Sequence, residues 1–244
     1  RGGHHALDAL VALSFAAAAT SRIRLQTNLF VPAYRHPLLS AKAIATLDVL
    51  SGGRVILGVG AGYLQGEFDA LGADFDRRND VLDEALVTMK AAWTGEPIDG
   101  TVCLPTPLQQ PHPPVWVGGN SKRAIRRAVE HGNGWVPMPS PRAAAKALHT
   151  PGIEGLDDLR ARIGLLHEAA AEAGRTTPID IVFMPSGLDM FAPAPPPAAS
   201  VVDELHALAG LGVSWATVCL PADGRVGLLR QVEAFGRDVI ARLG

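Results

Sequence analysis

Cysteine is almost absent. Only Cys103 and Cys219 occur in 244 residues, far apart and without CxxC spacing. A disulfide framework is therefore not expected, and a reducing cytoplasm is the expected compartment. Lysine is nearly as rare, 4 of the 22 basic residues, the other 18 being Arg. With 24 acidic residues the formal net charge is −2, which leaves no basic field for a nucleic-acid backbone. The longest apolar run, near Val11–Ala19, is too short to span a bilayer, so no membrane partner is expected. Arg1-Gly2-Gly3-His4-His5 lacks the charged n-region and cleavage pattern of a signal peptide, and no initiator Met heads the chain. Several chemical signatures are missing as well. There is no HExxH, Cys/His cluster or DxDxDG for a metal, no GxSxG elbow and no GxxxxGK[ST] loop.

What is present is a core-forming composition, 48% hydrophobic and 19% charged, which excludes intrinsic disorder. Short apolar runs alternate with helical periodicity. Strands are expected over Arg22–Val31, Arg54–Val59, Val115–Val117, Gly134–Pro137, Ile179–Met184 and Ser214–Cys219. Helices are expected over Ala6–Ala19, Pro37–Leu50, Asn79–Trp93, Ser121–His131, Leu156–Ala173, Val201–Leu211 and Val226–Leu243. Pro97–Pro114 and Ala192–Ala199 are proline-rich and read as surface segments. Leu64–Asp80 gives no clean helix start. This alternation argues for α/β architecture in one domain over residues 1–244, with a parallel sheet. Six strands suit a doubly wound sheet; a (β/α)₈ barrel needs eight.

Four constellations stand out. Gly58-Val59-Gly60-Ala61-Gly62 follows a strand, and its glycines would let backbone approach a ligand. Tyr63 occupies the third-glycine position of a dinucleotide fingerprint, so the plainer reading is a tight turn. Gly118-Gly119-Asn120-Ser121 joins a strand to a helix, which offers amides and a positive dipole end to a phosphate, with Lys122 and Arg123 adding charge. An ordinary capped loop explains the same residues. Gln26-Thr27-Asn28-Leu29 places polar groups at the end of a buried strand. Glu67 closely follows the first glycine loop, amid acidic and basic residues that suit a solvated face equally well. His36 reads as a surface or hydrogen-bonded residue, and Trp93, Trp116, Trp135 and Trp215 read as core.

Taken in order, these segments resemble the luciferase-like monooxygenase superfamily, and within it the oxidoreductases that use the deazaflavin coenzyme F420. The resemblance rests on Ser21-Arg22-Ile23-Arg24-Leu25, His36-Pro37-Leu38, Ser51-Gly52-Gly53-Arg54, Gly58–Gly62, Glu67-Phe68, Ala70-Leu71-Gly72, Asp83-Glu84-Ala85-Leu86, Trp93-Thr94-Gly95 and Pro113–Gly119. It implies a luciferase-like TIM barrel whose first strand, first helix and second strand have no counterpart in this sequence. It implies a cofactor at the carboxyl ends of the strands: F420, with FMN as the alternative. Asn28 and Leu29 would form a cis peptide behind the ring, and Gly60, Ala61, Gly62 and Tyr63 would lie along the ring or ribityl chain. Gly118, Gly119, Asn120 and Ser121 would hold the phosphate, with Glu67 nearby. Phe30, Tyr34 and Trp135 would line a substrate pocket. No catalytic acid or base can be carried over. The resemblance further implies hydride transfer to a small organic substrate and a homodimer. An FMN-dependent monooxygenase and a non-catalytic flavin-binding protein are the rival readings.

Overall fold

A computed structural model describes residues 7–189 and 194–243. The His4-His5 pair, the first residue of the helix expected from Ala6, and part of the loop expected over Ala192–Ala199 lie outside the described residues.

Six strands form one parallel sheet in sequence order: β1 (Leu25–Gln26), β2 (Val55–Val59), β3 (Val115–Gly118), β4 (Gly134–Val136), β5 (Asp180–Phe183) and β6 (Trp215–Ala216). Every pairing is parallel between sequence neighbours, with a helical crossover between them. This is the βα progression of a luciferase-type barrel, curled through six strands, rather than the reversed strand order of a doubly wound sheet. Around it lie α1 (Ala9–Ala19), α2 (Pro37–Ser51), α3 (Gln65–Leu71), α4 (Arg78–Trp93), α5 (Lys122–His131), α6 (Ala145–Leu148), α7 (Leu156–Glu172), α8 (Ala198–Gly210) and α9 (Gly224–Asp238).

Strand alternation sorts the apolar residues into two layers. Val55, Leu57, Val59, Val115, Val117, Trp135, Ile181 and Phe183 join the helices in the main core. Ile56, Trp116, Val136 and Val182 point the other way and pack together on the concave face. Trp116 fills much of that face. A Cβ on Gly134 would fall 2.4 Å from its Cδ1, so β4 needs a glycine opposite the indole. Trp215 meets Trp116 edge to face at 5.2 Å between centroids, yet stays 40% exposed on the edge strand, so it is not the core residue expected; the other three tryptophans are buried.

The capping chemistry follows the sequence. Asp8 accepts from the amides of Leu10 and Val11 at the start of α1, and His36 Nδ1 accepts from Leu38 N at the start of α2. Gly52 ends α2 in the left-handed conformation, at φ 73°. The strand expected over Arg22–Val31 is far shorter. Leu25 and Gln26 pair with Val55 and Ile56, and the chain rejoins β2 only at Phe30, opposite Val59. Three residues, Thr27, Asn28 and Leu29, thus oppose two, Leu57 and Gly58, which is a bulge; the Thr27 N–H still donates to Ile56 O at 3.3 Å, and Asn28 and Leu29 leave the ladder.

Candidate active site at the carboxyl ends of the strands

The bulge sets the geometry. The peptide between Asn28 and Leu29 is cis. Thr27 stays anchored, its hydroxyl donating to Gly58 O at 2.8 Å. Asn28 is exposed, and Leu29 lays its side chain across the ends of β2 and β3. A Cβ on Gly60 would fall 3.1 Å, and one on Gly118 2.1 Å, from Leu29 Cδ1. Leu29 itself remains 37% exposed, so it forms an apolar shelf at the mouth of the curled sheet. The glycines expected to admit a ligand's approach thus have a nearer occupant. Gly58 makes room for the Thr27 carbonyl, and Gly60 and Gly118 make room for Leu29.

The loop after β2 turns at Gly62, whose φ is 79°. A Cβ there would strike the Phe68 ring at 2.8 Å. Ala61 packs against the core, whereas Tyr63 is 44% exposed. Glu67 sits in the first turn of α3, and its Oε2 accepts a 2.5 Å hydrogen bond from the Tyr34 hydroxyl. Burial, and then the Glu67 carboxylate, push the Tyr34 phenol well above its ordinary value. Helix α3 has no clean start in the sequence because Leu64 offers no capping side chain and Gly66 weakens the helix. Tertiary packing overrides this, since Phe68 is fully buried.

Aromatic contacts tie the rim together. Tyr34 meets Phe68 at 4.8 Å, Phe68 meets Phe75 at 5.2 Å, and Phe75 meets His149 at 5.3 Å, all edge to face. Arg78 lies over the Phe75 ring at 3.9 Å. His149 was only one of several scattered histidines in the sequence. No local signal marks it; its partner is a distant phenylalanine.

The loop after β3 departs from expectation in two ways. Asn120 is fully buried and spends its polar atoms on the protein. Its Nδ2 donates to Met138 O at 2.8 Å and Pro151 O at 2.7 Å, its Oδ1 accepts from Met138 N, and its backbone N–H donates to Thr150 Oγ1. No donor of Asn120 is left for a phosphate. Arg123, expected to add charge near that phosphate, is held by α4 instead, through Asp80 at 2.5 Å and Asp83 at 2.7 Å. Asp83 also meets the buried Arg127. Gly119 turns at φ 112°, gives its N–H to Val136 O and accepts at its own carbonyl from Trp135 Nε1 at 2.9 Å. Ser121 caps α5 by accepting from Ala124 N. The amides of Ser121, Lys122 and Arg123 have no acceptor among the described residues, as the first turn of a helix requires.

Three of the expected pocket-lining residues divide. Tyr34 is at the rim, but Phe30 and Trp135 are buried in the core and line nothing. Two further polar atoms have no partner among the described residues and lie on strands: Gln26 Nε2 and Trp116 Nε1. Alternation from the core-facing Leu25 and Val117 turns both toward the concave side. Among the described residues no group of three or more His, Cys, Asp or Glu side chains is placed to hold a metal ion, and no helix is long and apolar enough to cross a membrane.

Known proteins fit this architecture. An uncharacterized protein of Mycobacterium tuberculosis is 40% identical over 143 residues, covering 54% of this chain and 50% of that protein. The chain thus spans about half the length of this curated relative. The crystal structure of the monooxygenase RslO1 from Streptomyces bottropensis superposes with a TM-score of 0.73 at 21% identity, over 97% of this chain and 83% of that one. The coenzyme F420 dependent tetrahydromethanopterin reductase from Methanopyrus kandleri superposes with a TM-score of 0.69 at 20% identity, over 98% and 88%. Residues 2–188 match the family model for luciferase-like monooxygenases. The chain belongs to the luciferase-like monooxygenase family.

Proposed function

We propose that this protein is an oxidoreductase that moves a hydride between coenzyme F420 and a small organic substrate. The observation that carries the reading is the Leu29 shelf. An exposed apolar side chain crosses the glycine ends of two parallel strands, with unpaired helix amides at Ser121–Arg123 to one side. A planar heteroaromatic ring with an anionic tail suits such a surface, the ring over Leu29 and the tail toward the amides. The donor set fits, with a correction. Phosphate contacts would come from backbone N–H groups and the exposed Lys122, not from Asn120 or Arg123. The buried donors Gln26 Nε2 and Trp116 Nε1 are available to a polar group entering the concave side. Fold likeness to an F420-dependent reductase over nearly the whole chain supports the same reading.

When bound, the cofactor would supply the hydride chemistry. This chain's residues would do the rest. Leu29 backs the ring, and Tyr63 and Leu64, both exposed, shield one flank from water. The Tyr34 hydroxyl holds a proton that it donates to Glu67 Oε2 on the rim, where a substrate's oxygen would compete for it.

The likeness to RslO1 favours a second reading, a flavin monooxygenase. Titrating the purified protein with F420 and with FMN in parallel, following cofactor fluorescence, separates the two. Saturable binding of F420 with at least tenfold weaker FMN binding is expected. The reverse preference would overturn the F420 reading in favour of the monooxygenase.

A further inference from the structure

Two of the three buried tryptophans satisfy their indole N–H. Trp93 Nε1 donates to Ala41 O at 3.0 Å, and Trp135 Nε1 donates to Gly119 O at 2.9 Å. A buried indole normally finds such a partner, and leaving one unmade costs free energy. Trp116 differs. It is 1% exposed, and its Nε1 has no acceptor among the described residues. The ring is wedged into room that Gly134 leaves, with Nε1 2.7 Å from where a Cβ on Gly134 would stand. Gln26 Nε2, two strands away, is orphaned on the same concave face.

The surroundings narrow what can take these hydrogen bonds. Ile56, Val136 and Val182 pack with Trp116, and Trp215 meets it edge to face. No Lys, Arg or His stands at a strand position that alternation turns to this face. The one ionisable side chain there is Asp180, in register with Gly134, and its Oδ1 accepts from Ser214 Oγ at 3.1 Å. A carboxylate or phosphate entering the concave side would therefore meet a carboxylate and no cation. A neutral carbonyl oxygen needs only the donors that are present, and an apolar body suits the aliphatic and indole walls. Leu29 lies over Gly118, two residues up β3 from Trp116, which puts the indole about 7 Å below the shelf. We propose that Trp116 anchors the substrate, its indole N–H holding a carbonyl oxygen at the inner end of a neutral, largely apolar molecule. The inference rests on the hydride-transfer reading of the site. It narrows the small organic substrate to uncharged compounds that carry a carbonyl oxygen at the end remote from Tyr34.

Indole signals in nitrogen–proton correlation spectra of the labelled protein test this, with no cofactor added. Four are expected, one per tryptophan, and Trp116→Phe deletes the one in question. Should that variant not fold, Trp93→Phe, Trp135→Phe and Trp215→Phe identify it by elimination. Titration with cyclohexanone should move the Trp116 signal downfield along a saturable curve and leave those of Trp93 and Trp135 in place. Cyclohexanecarboxylate should move none of the three. Saturation-transfer signals of the ketone should report binding about three- to tenfold weaker in Trp116→Phe. A Trp116 signal that ignores cyclohexanone, or that responds equally to the carboxylate, would overturn the proposal. So would cross-relaxation between this N–H and a trapped water that the ketone does not displace. An F420 titration run in parallel separates the anchor from the hydride reading. F420 binding without a Trp116 response to the ketone overturns the anchor alone. A response without F420 binding supports the anchor and overturns hydride transfer with F420.

Discussion

The carbonyl oxygen of Thr27 occupies the space that a side chain on Gly58 would need. A Cβ built there falls 2.1 Å from that oxygen, while the Thr27 hydroxyl donates back to Gly58 O. Backbone lies against backbone, and neither can yield cheaply. Gly58→Ala is expected to destabilise by about 3 kcal/mol, at the upper end of overpacking. Gly118→Ala presents the same 2.1 Å approach, but to the end of the flexible Leu29 side chain. It is expected to cost about 1 kcal/mol or less and to swing Leu29 off its shelf. Urea unfolding of the two variants measures the difference. On the proposed function, cofactor affinity should fall in Gly118→Ala and recover partly in Gly118→Ala/Leu29→Ala.

Asn120 should behave as a structural bracket. Asn120→Ala removes its three side-chain hydrogen bonds and strands the carbonyls of Met138 and Pro151. A loss of about 2–4 kcal/mol is expected, because buried partners are left unsatisfied. Limited proteolysis should then cut between Met138 and Thr150 before it cuts elsewhere. An unfolding midpoint equal to that of the unaltered protein would rule the bracket out.

Acid should act through Asp83. Burial alone would raise its pKa, but hydrogen bonds from Arg127 and Arg123 outweigh this and hold it below the ordinary carboxylate value. A depressed folded value stabilises the protein above the unfolded pKa, near 3.8, and that stability is lost as pH falls through the folded value. Asp83→Asn should lower stability at pH 7 by about 2 kcal/mol, since Arg127 is only 3% exposed. It should also flatten the decline below pH 4. Unfolding curves from pH 2 to 7 give both numbers.

Tyr34 should titrate late. Its phenol is pushed above the ordinary value of 10.0 by burial and by Glu67. A raised folded value means that the contribution is complete below the unfolded pKa and is lost as pH climbs toward the folded one. The Tyr34 titration, read as the alkaline absorbance difference between the unaltered protein and Tyr34→Phe, should rise only above the ordinary tyrosine value of 10.0. Glu67→Gln should move that rise to lower pH. A difference that is complete at the ordinary value would contradict the pairing.

The parallel βα order was legible because each strand is a short apolar run closed by glycine or proline, as at Arg54–Val59 before Gly60 and Val115–Val117 before Gly118. Helices α2 and α5 carried capping side chains that do cap, and α4 and α7 carried an apolar periodicity that is buried. Helix α3 did not, because it forms to bury Phe68 rather than to satisfy its own ends. The extended reading of Arg22–Val31 missed a bulge whose register depends on β2. At the site, the glycines announced that space was needed, but a sequence cannot say who takes it. Thr27 and Leu29 do. The side chains of Asn120 and Arg123 looked ligand-ready only until their distant partners, Met138, Pro151, Asp80 and Asp83, came into view.

The bonds from Asn120 make the segment after β4 an extension of the turn after β3. The two should therefore behave as one module. A chimera that takes residues 138–152 from a relative must bring that relative's residue at position 120 with it, and recombination breakpoints between β3 and α6 should be poorly tolerated in shuffled libraries.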